Sequence, residues 1–139
     1  MSRASSLALA ALAALGACAP AGGDSGNGAV YQAWAAHRSR VEVTATGSVA
    51  RVLGTRSGPS GRHEGFLVHL RGAAGHGLTV RVEANVDITG LIPLSAGNDV
   101  EVRGEYIYDE LGGLIHFTHH DPRGTQSGGY VRVGSLVYS

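Results

Sequence analysis

The stretch LTVRVEA, residues 78–84, limits most strongly what this chain can fold into. Leu78, Val80, Val82 and Ala84 take alternate positions, and Thr79, Arg81 and Glu83 fall between them. Successive side chains of a strand point to opposite faces, so the stretch makes one apolar face and one polar face. Related alternation marks VEVTATGSVARVL (41–53), FLVHL (66–70) and VEVRGEYIY (100–108). LIHFTH (114–119) returns as a further strand, and YVRVGSLVY (130–138) is a last short strand or hairpin.

The segments between these strands are turn-like. GTRSGPSGRHEG (54–65) reads as a long polar loop, RGAAGHG (71–77) as a Gly-rich turn, and DELGG (109–113) as a hairpin turn. NVDITGLIPLSAGND (85–99) is less regular and suits a short helical turn. Gly47 sits inside the first strand and marks a bulge or bend. AVYQAWAAHR (29–38) is the one convincing helix, with Val30, Ala33, Trp34 and His37 on one face. Five main strands, a long bent first one and an irregular link between the third and fourth predict a mainly β fold. The expected form is a small five-stranded OB-like Greek-key barrel preceded by one short helix, with a β-sandwich as the alternative.

The N-terminus has a different character. Arg3 precedes an apolar run over residues 7–17, which is shorter than the ~20 residues a membrane-spanning helix needs. A positive start, a short apolar middle and small residues make a secretory signal. The only cysteine, Cys18, follows Leu15-Gly16-Ala17, which resembles the bacterial lipobox. Residues 1–18 are therefore expected to be a lipoprotein-type signal with Cys18 lipidated, and the partner so implied is a membrane. The alternative is an ordinary signal cut after Ala17 or Ala21, giving a soluble periplasmic protein. Residues 19–28, APAGGDSGNG, read as a flexible tether, and residues 29–139 as a single domain.

The 139 residues carry 11 Lys+Arg and 11 Asp+Glu, and every cation is an arginine. Phosphate neutralisation needs net positive charge, so a nucleic-acid partner is not supported. No Gly-x-Ser-x-Gly elbow and no phosphate-binding loop ending in Lys-Ser/Thr occurs.

The phrases RHEGFLVHL, ANVDITGLIP, GNDVEVRGEYIYDELGGLIHFTHHDPRG and GGYVRVGSLVY together resemble the bacterial domain-of-unknown-function family 3465. The resemblance covers about residues 61–138, with Gly-Glu-Tyr at 104–106 and Thr-His-His-Asp-Pro at 118–122 as its most specific pieces. His63, Asn85 and Asp87 fit its pattern, while Phe117 stands where a tryptophan is expected. The resemblance implies an architecture and an exported location rather than a chemistry.

The candidate chemistry lies in three segments. His116, His119, His120 and Asp121 combine imidazole nitrogens with a carboxylate, donors that suit zinc and other first-row metals. Adjacent histidines on a flat strand point apart, so only His119, His120 and Asp121 at the loop end are placed to hold an ion, and only with help from His63 or Glu105. The plainer reading has His116 packing on a cross-strand neighbour and Asp121 capping the Pro122 turn. An even hairpin register would put Glu105 opposite Thr118 and Ile107 opposite His116, making Glu105 a general base or an orienting carboxylate. His63 is a second candidate base. Asn85 and Asp87, at a strand end, are further binding candidates, unless they serve only as turn residues. The expected function is an exported, lipid-anchored OB-like module that binds a ligand or envelope protein and holds a divalent metal such as zinc. The alternatives are a metal-dependent hydrolase, acting for example on phosphodiesters, and a structural lipoprotein whose ligand is another protein.

Overall fold

The computed structural model describes residues 26–72 and 77–139. The expected signal, the lipidation site Cys18 and the first part of the tether lie outside the described residues. The elements are α1 (Gly28–Ala35), β1 (Val41–Gly58), β2 (Gly61–Leu70), β3 (Thr79–Asn85), α2 (Val86–Thr89), β4 (Asp99–Ile107), β5 (Leu114–His116), β6 (Tyr130–Val133) and β7 (Leu136–Tyr138).

Five strands close a ring in the order β1-β2-β3-β5-β4-β1. The β3–β5 pairing is parallel, and every other pairing in the ring is antiparallel. This is the expected barrel, with α1 before it and α2 between the third and fourth strands. The ring closes because β1 is long enough to serve two neighbours. Its first half pairs with β4 and its second half with β2, and Gly47 partners both Leu70 and Val100. A Cβ at Gly47 would run into the His69 carbonyl, so the crossing point accepts only glycine. Register shifts follow at Val49/Arg51 and Val52/Gly54, and such bulges add the twist a small barrel needs.

The expected polar loop at 54–65 is instead a two-stranded arm. The ladder runs without a break from Gly54↔Gly65 to Gly58↔Gly61, leaving Pro59 and Ser60 as the turn. The arm's β1 side is exposed beyond Val52 and shows no apolar alternation. Its order comes from backbone pairing, which leaves no hydropathy signal.

The barrel interior is filled by Phe66, Val68, Leu70, Val80, Val82, Ala84, Val102, Tyr106 and Ile115, all buried. The alternation at 78–84 therefore points as expected. Helix α1 is shorter than expected: it buries Val30 and Ala33 and ends at Ala35. His37 then adopts a positive φ of 51° and stacks on Tyr108 at 4.3 Å. Asn27, inside the stretch expected to be a tether, is buried. Its side chain donates to the carbonyls of Thr46 (2.8 Å) and Arg71 (2.7 Å) and accepts from Thr46 N (2.7 Å).

The DELGG turn fixes the β4–β5 register. Asp109 accepts from the amides of Leu111 and Gly113, and the Tyr106 hydroxyl donates to the Gly112 carbonyl at 2.9 Å. Burial pushes the Tyr106 phenol up to about 12, with Asp109 and Tyr108 adding to the rise. The outcome pairs Ile107 with Leu114 and Glu105 with His116, a shift of two residues from the expected register. A two-residue shift preserves the face, so Glu105 still points outward. Strand β5 stops at His116 because Phe117 takes φ 53°, and Thr118 turns inward and is buried. The β6–β7 hairpin turns at Gly134 and extends the sheet beyond the ring. Among the described residues no helix is long and apolar enough to cross a membrane.

Candidate ligand groove

The outer face of β2, β3 and β5 carries the residues that matter. His63 is paired with Asn85 across β2–β3, and Glu105 with His116 across β4–β5. The arm stands over this face and turns it into a groove made of three adjoining clefts. A cleft of about 270 Å³ in the middle is lined by Ser60, His63, Glu83, Asn85, His116, Phe117 and His119. It shares Ser60, His63, Glu83 and His116 with a cleft of about 390 Å³ under the arm, where Arg56 and Leu114 join. It shares Ser60, Asn85, Phe117 and His119 with a cleft of about 430 Å³ that continues to Asp121, Arg123 and Gln126. Candidates from three separated segments thus meet on one surface.

Each groove histidine is held by one ring nitrogen. His63 Nδ1 lies 3.1 Å from the Gly61 carbonyl, His116 Nε2 lies 3.0 Å from Glu105 Oε1, and His119 Nδ1 lies 2.5 Å from the His120 carbonyl. Carbonyl and carboxylate oxygens can only accept, so the held nitrogen donates. The other nitrogen of a neutral ring is then an acceptor. Glu105 therefore orients His116, one of the roles expected for it, although it reaches a histidine other than those at the loop end.

Phe117 lies between these rings. Its ring centroid is 4.1 Å from that of His116 and 6.3 Å, edge-on, from that of His119. A bulky residue at positive φ is strained by roughly 1–3 kcal/mol, and His37 and Arg40 share that conformation away from the groove.

Glu83 occupies an outward position of β3 that the alternation assigns to solvent, yet its side chain is only 10% exposed. Arg56 from the arm binds it at 3.0 Å, and Arg81 of its own strand donates to it through two nitrogens. Glu64 is also buried and accepts from the Ile92 amide at 2.9 Å, which ties the α2–β4 link to β2.

The expected metal set is not assembled. Asp121 is occupied by its own loop, accepting from the amides of Arg123, Thr125 and Gln126 and from the Thr125 hydroxyl. These donors, that of Arg123 foremost, lower its carboxyl to about 2. His120 is exposed, and its backbone carbonyl accepts from His119 Nδ1. Among the described residues no three of His, Cys, Asp and Glu are grouped to hold a metal ion. Asp121 instead fills the turn-capping role that was its plainer reading.

Asn85 and Asp87 secure the arm. Asn85 Nδ2 donates to the Ser60 carbonyl at 3.2 Å, and its Oδ1 caps α2 by accepting from Asp87 N at 3.1 Å. Asp87 accepts from the Arg62 amide at 2.8 Å. Both ties reach the arm tip, and Asn85 also lines the groove.

Sequence reasoning missed Arg56, Glu83 and Phe117 as groove residues. The only signal for Phe117 was its place in the family phrase. Arg56 and Glu83 are distant in sequence and read as solvated charges until the arm folds across β3.

Residues 13–139 match the model of a family described as "Protein of unknown function (DUF3465)". No curated protein matches the chain, and no solved structure does. The match spans nearly the whole sequence and agrees with the motifs at 104–106 and 118–122, and on it the chain belongs to the DUF3465 family.

Proposed function

We propose that this protein is an exported OB-like binding module whose ligand lies along the groove beneath the β1–β2 arm. The observation that carries the reading is the convergence of His63, Asn85, His116 and His119 on one cleft that adjoins two further clefts. OB barrels use this part of the fold, the second and third strands with the adjoining loops, to take extended ligands. Sites are commonly built from polar residues held at strand ends by a rigid scaffold, and this groove has that construction. The hydrolase and zinc readings receive no such support, since Asp121 is committed to its loop.

Delivery to the cell envelope is part of the proposal. Arg3, the apolar run and Leu15-Gly16-Ala17-Cys18 support export and lipidation of Cys18. A Cys18→Ala chain should move from the membrane to the soluble fraction; an unchanged membrane fraction would sink the anchor. For the groove, the full chain is screened by thermal shift against oligosaccharides, oligonucleotides and nucleotides. At least one probe should raise the midpoint of the parent and fail to do so for His116→Ala. If no probe separates the two, the binding reading falls.

A further inference from the structure

Resting on that groove, we infer that its ligand is a neutral, extended oligosaccharide rather than a nucleic acid. OB folds take both classes, and the two ask for opposite electrostatics. A nucleic-acid strand needs a track of uncompensated positive charge along its phosphates. The charged residues lining the three clefts are two arginines, Arg56 and Arg123, and two carboxylates, Glu83 and Asp121. Arg56 is already bound to Glu83, and the Asp121 charge is held by loop amides. The groove is therefore formally neutral, as is the whole chain.

Besides the Arg123 guanidinium, what remains are groups that read hydroxyls. Each of the three imidazoles has one nitrogen held, and in its neutral form the other can accept. Ser60 adds a hydroxyl in the same cleft, and Asn85, whose amide holds the arm and caps α2, keeps one N–H and one lone pair beyond those bonds. Sugar hydroxyls both donate and accept, so a row of neutral acceptors and donors matches them without the desolvation cost of an unpaired charge. Phe117, half-exposed at the middle of the row, offers an apolar ring for the C–H face of a pyranose. Its left-handed backbone turns the chain out of β5 at this point and sets the ring against His116. Three adjoining clefts suit a chain of sugar units rather than a single one.

The test titrates the full chain, in detergent if it partitions with membranes, with chitohexaose, cellohexaose and a deoxythymidine decamer, followed calorimetrically at one salt concentration. At least one hexasaccharide should bind and the decamer should not. Phe117→Gly should weaken the sugar by about tenfold or more while keeping the thermal midpoint, which separates a lost contact from a lost fold. His116→Ala should weaken it as well. Binding of the decamer without the sugars overturns the sugar assignment and leaves the groove reading standing. Sugar binding indifferent to both variants overturns the groove reading itself. Binding of neither sugar overturns the inference, and the broader thermal screen then decides the groove.

Discussion

The Glu105 carboxylate holds His116 by its Nε2 at 3.0 Å, from the neighbouring strand of the same barrel. The pair exists because the Tyr106–Gly112 bond and the Asp109 turn set the register that places these residues opposite each other. Since the carboxylate can only accept, neutral His116 should be the Nε2–H tautomer. Two-dimensional 15N NMR of the imidazoles should show that single form in the parent chain and in Glu105→Gln, whose amide oxygen still accepts. Glu105→Ala should show mixed tautomers. The same mixture in the parent would disprove the orienting role.

Glu83 and its two arginines make a second pattern. Arg56 is 67% exposed, so its ion pair alone contributes little, within about 1 kcal/mol. Arg56→Ala and Arg81→Ala should each be mild, because the remaining arginine still pairs the carboxylate. Removing both leaves Glu83 covered and unpaired, and the loss should exceed the sum of the singles by about 0.5–3 kcal/mol. Urea denaturation of the four chains gives that coupling directly; additive losses would show that Glu83 reaches solvent.

Phe117 carries its strain in the backbone rather than the side chain. Phe117→Ala and Phe117→Gly both remove the ring, but only glycine is at ease at φ 53°. The glycine variant should therefore be the more stable of the two by about 1 kcal/mol. Equal stabilities would mean that the left-handed conformation is not retained once the ring is gone.

Asp121 gives a dependence on pH with a defined sign. Its carboxyl is lowered from 3.8 to about 2 by donors in its own loop. A group lowered on folding stabilises the ordered loop fully above its unfolded value and loses that contribution as pH falls through the folded value. Amide protection at Arg123, Thr125 and Gln126 should hold from neutrality to about pH 4 and fall between there and about pH 2. In Asp121→Ala it should be low throughout, while the buried barrel amides stay protected. A loop that opens near pH 6 in the parent would contradict the arrangement.

Much of the barrel was legible in the sequence. Alternation at 78–84 and 100–108 marks strands whose alternate residues fill one interior, and Gly47 marks a bend in the first strand, which the structure shows to be the point where β1 passes from β4 to β2. Period-two burial is a local property, so local sequence reports it. The Gly-Glu-Tyr and Thr-His-His-Asp-Pro phrases were enough to place the family, and the composition of residues 1–28 was enough to suggest export.

The groove was legible only as scattered residues. His63, Asn85, His116 and His119 stand out as polar groups at strand ends, but nothing local says that they share a cleft. That was decided by long-range pairing: β2 against β3, β3 parallel to β5, and an arm held by Asn85 and Asp87. The arm itself, being backbone-paired and polar, has the composition of a loop. Among the described residues the metal set is not brought together, for a related reason: Asp121 directs its oxygens to the amides of its own turn. Sequence by itself determined which residues face inward, since hydropathy and period suffice for that. Only the tertiary structure decided which outward residues meet, because contact between distant segments depends on register, and register was set by a tyrosine, an aspartate and two glycines at one turn.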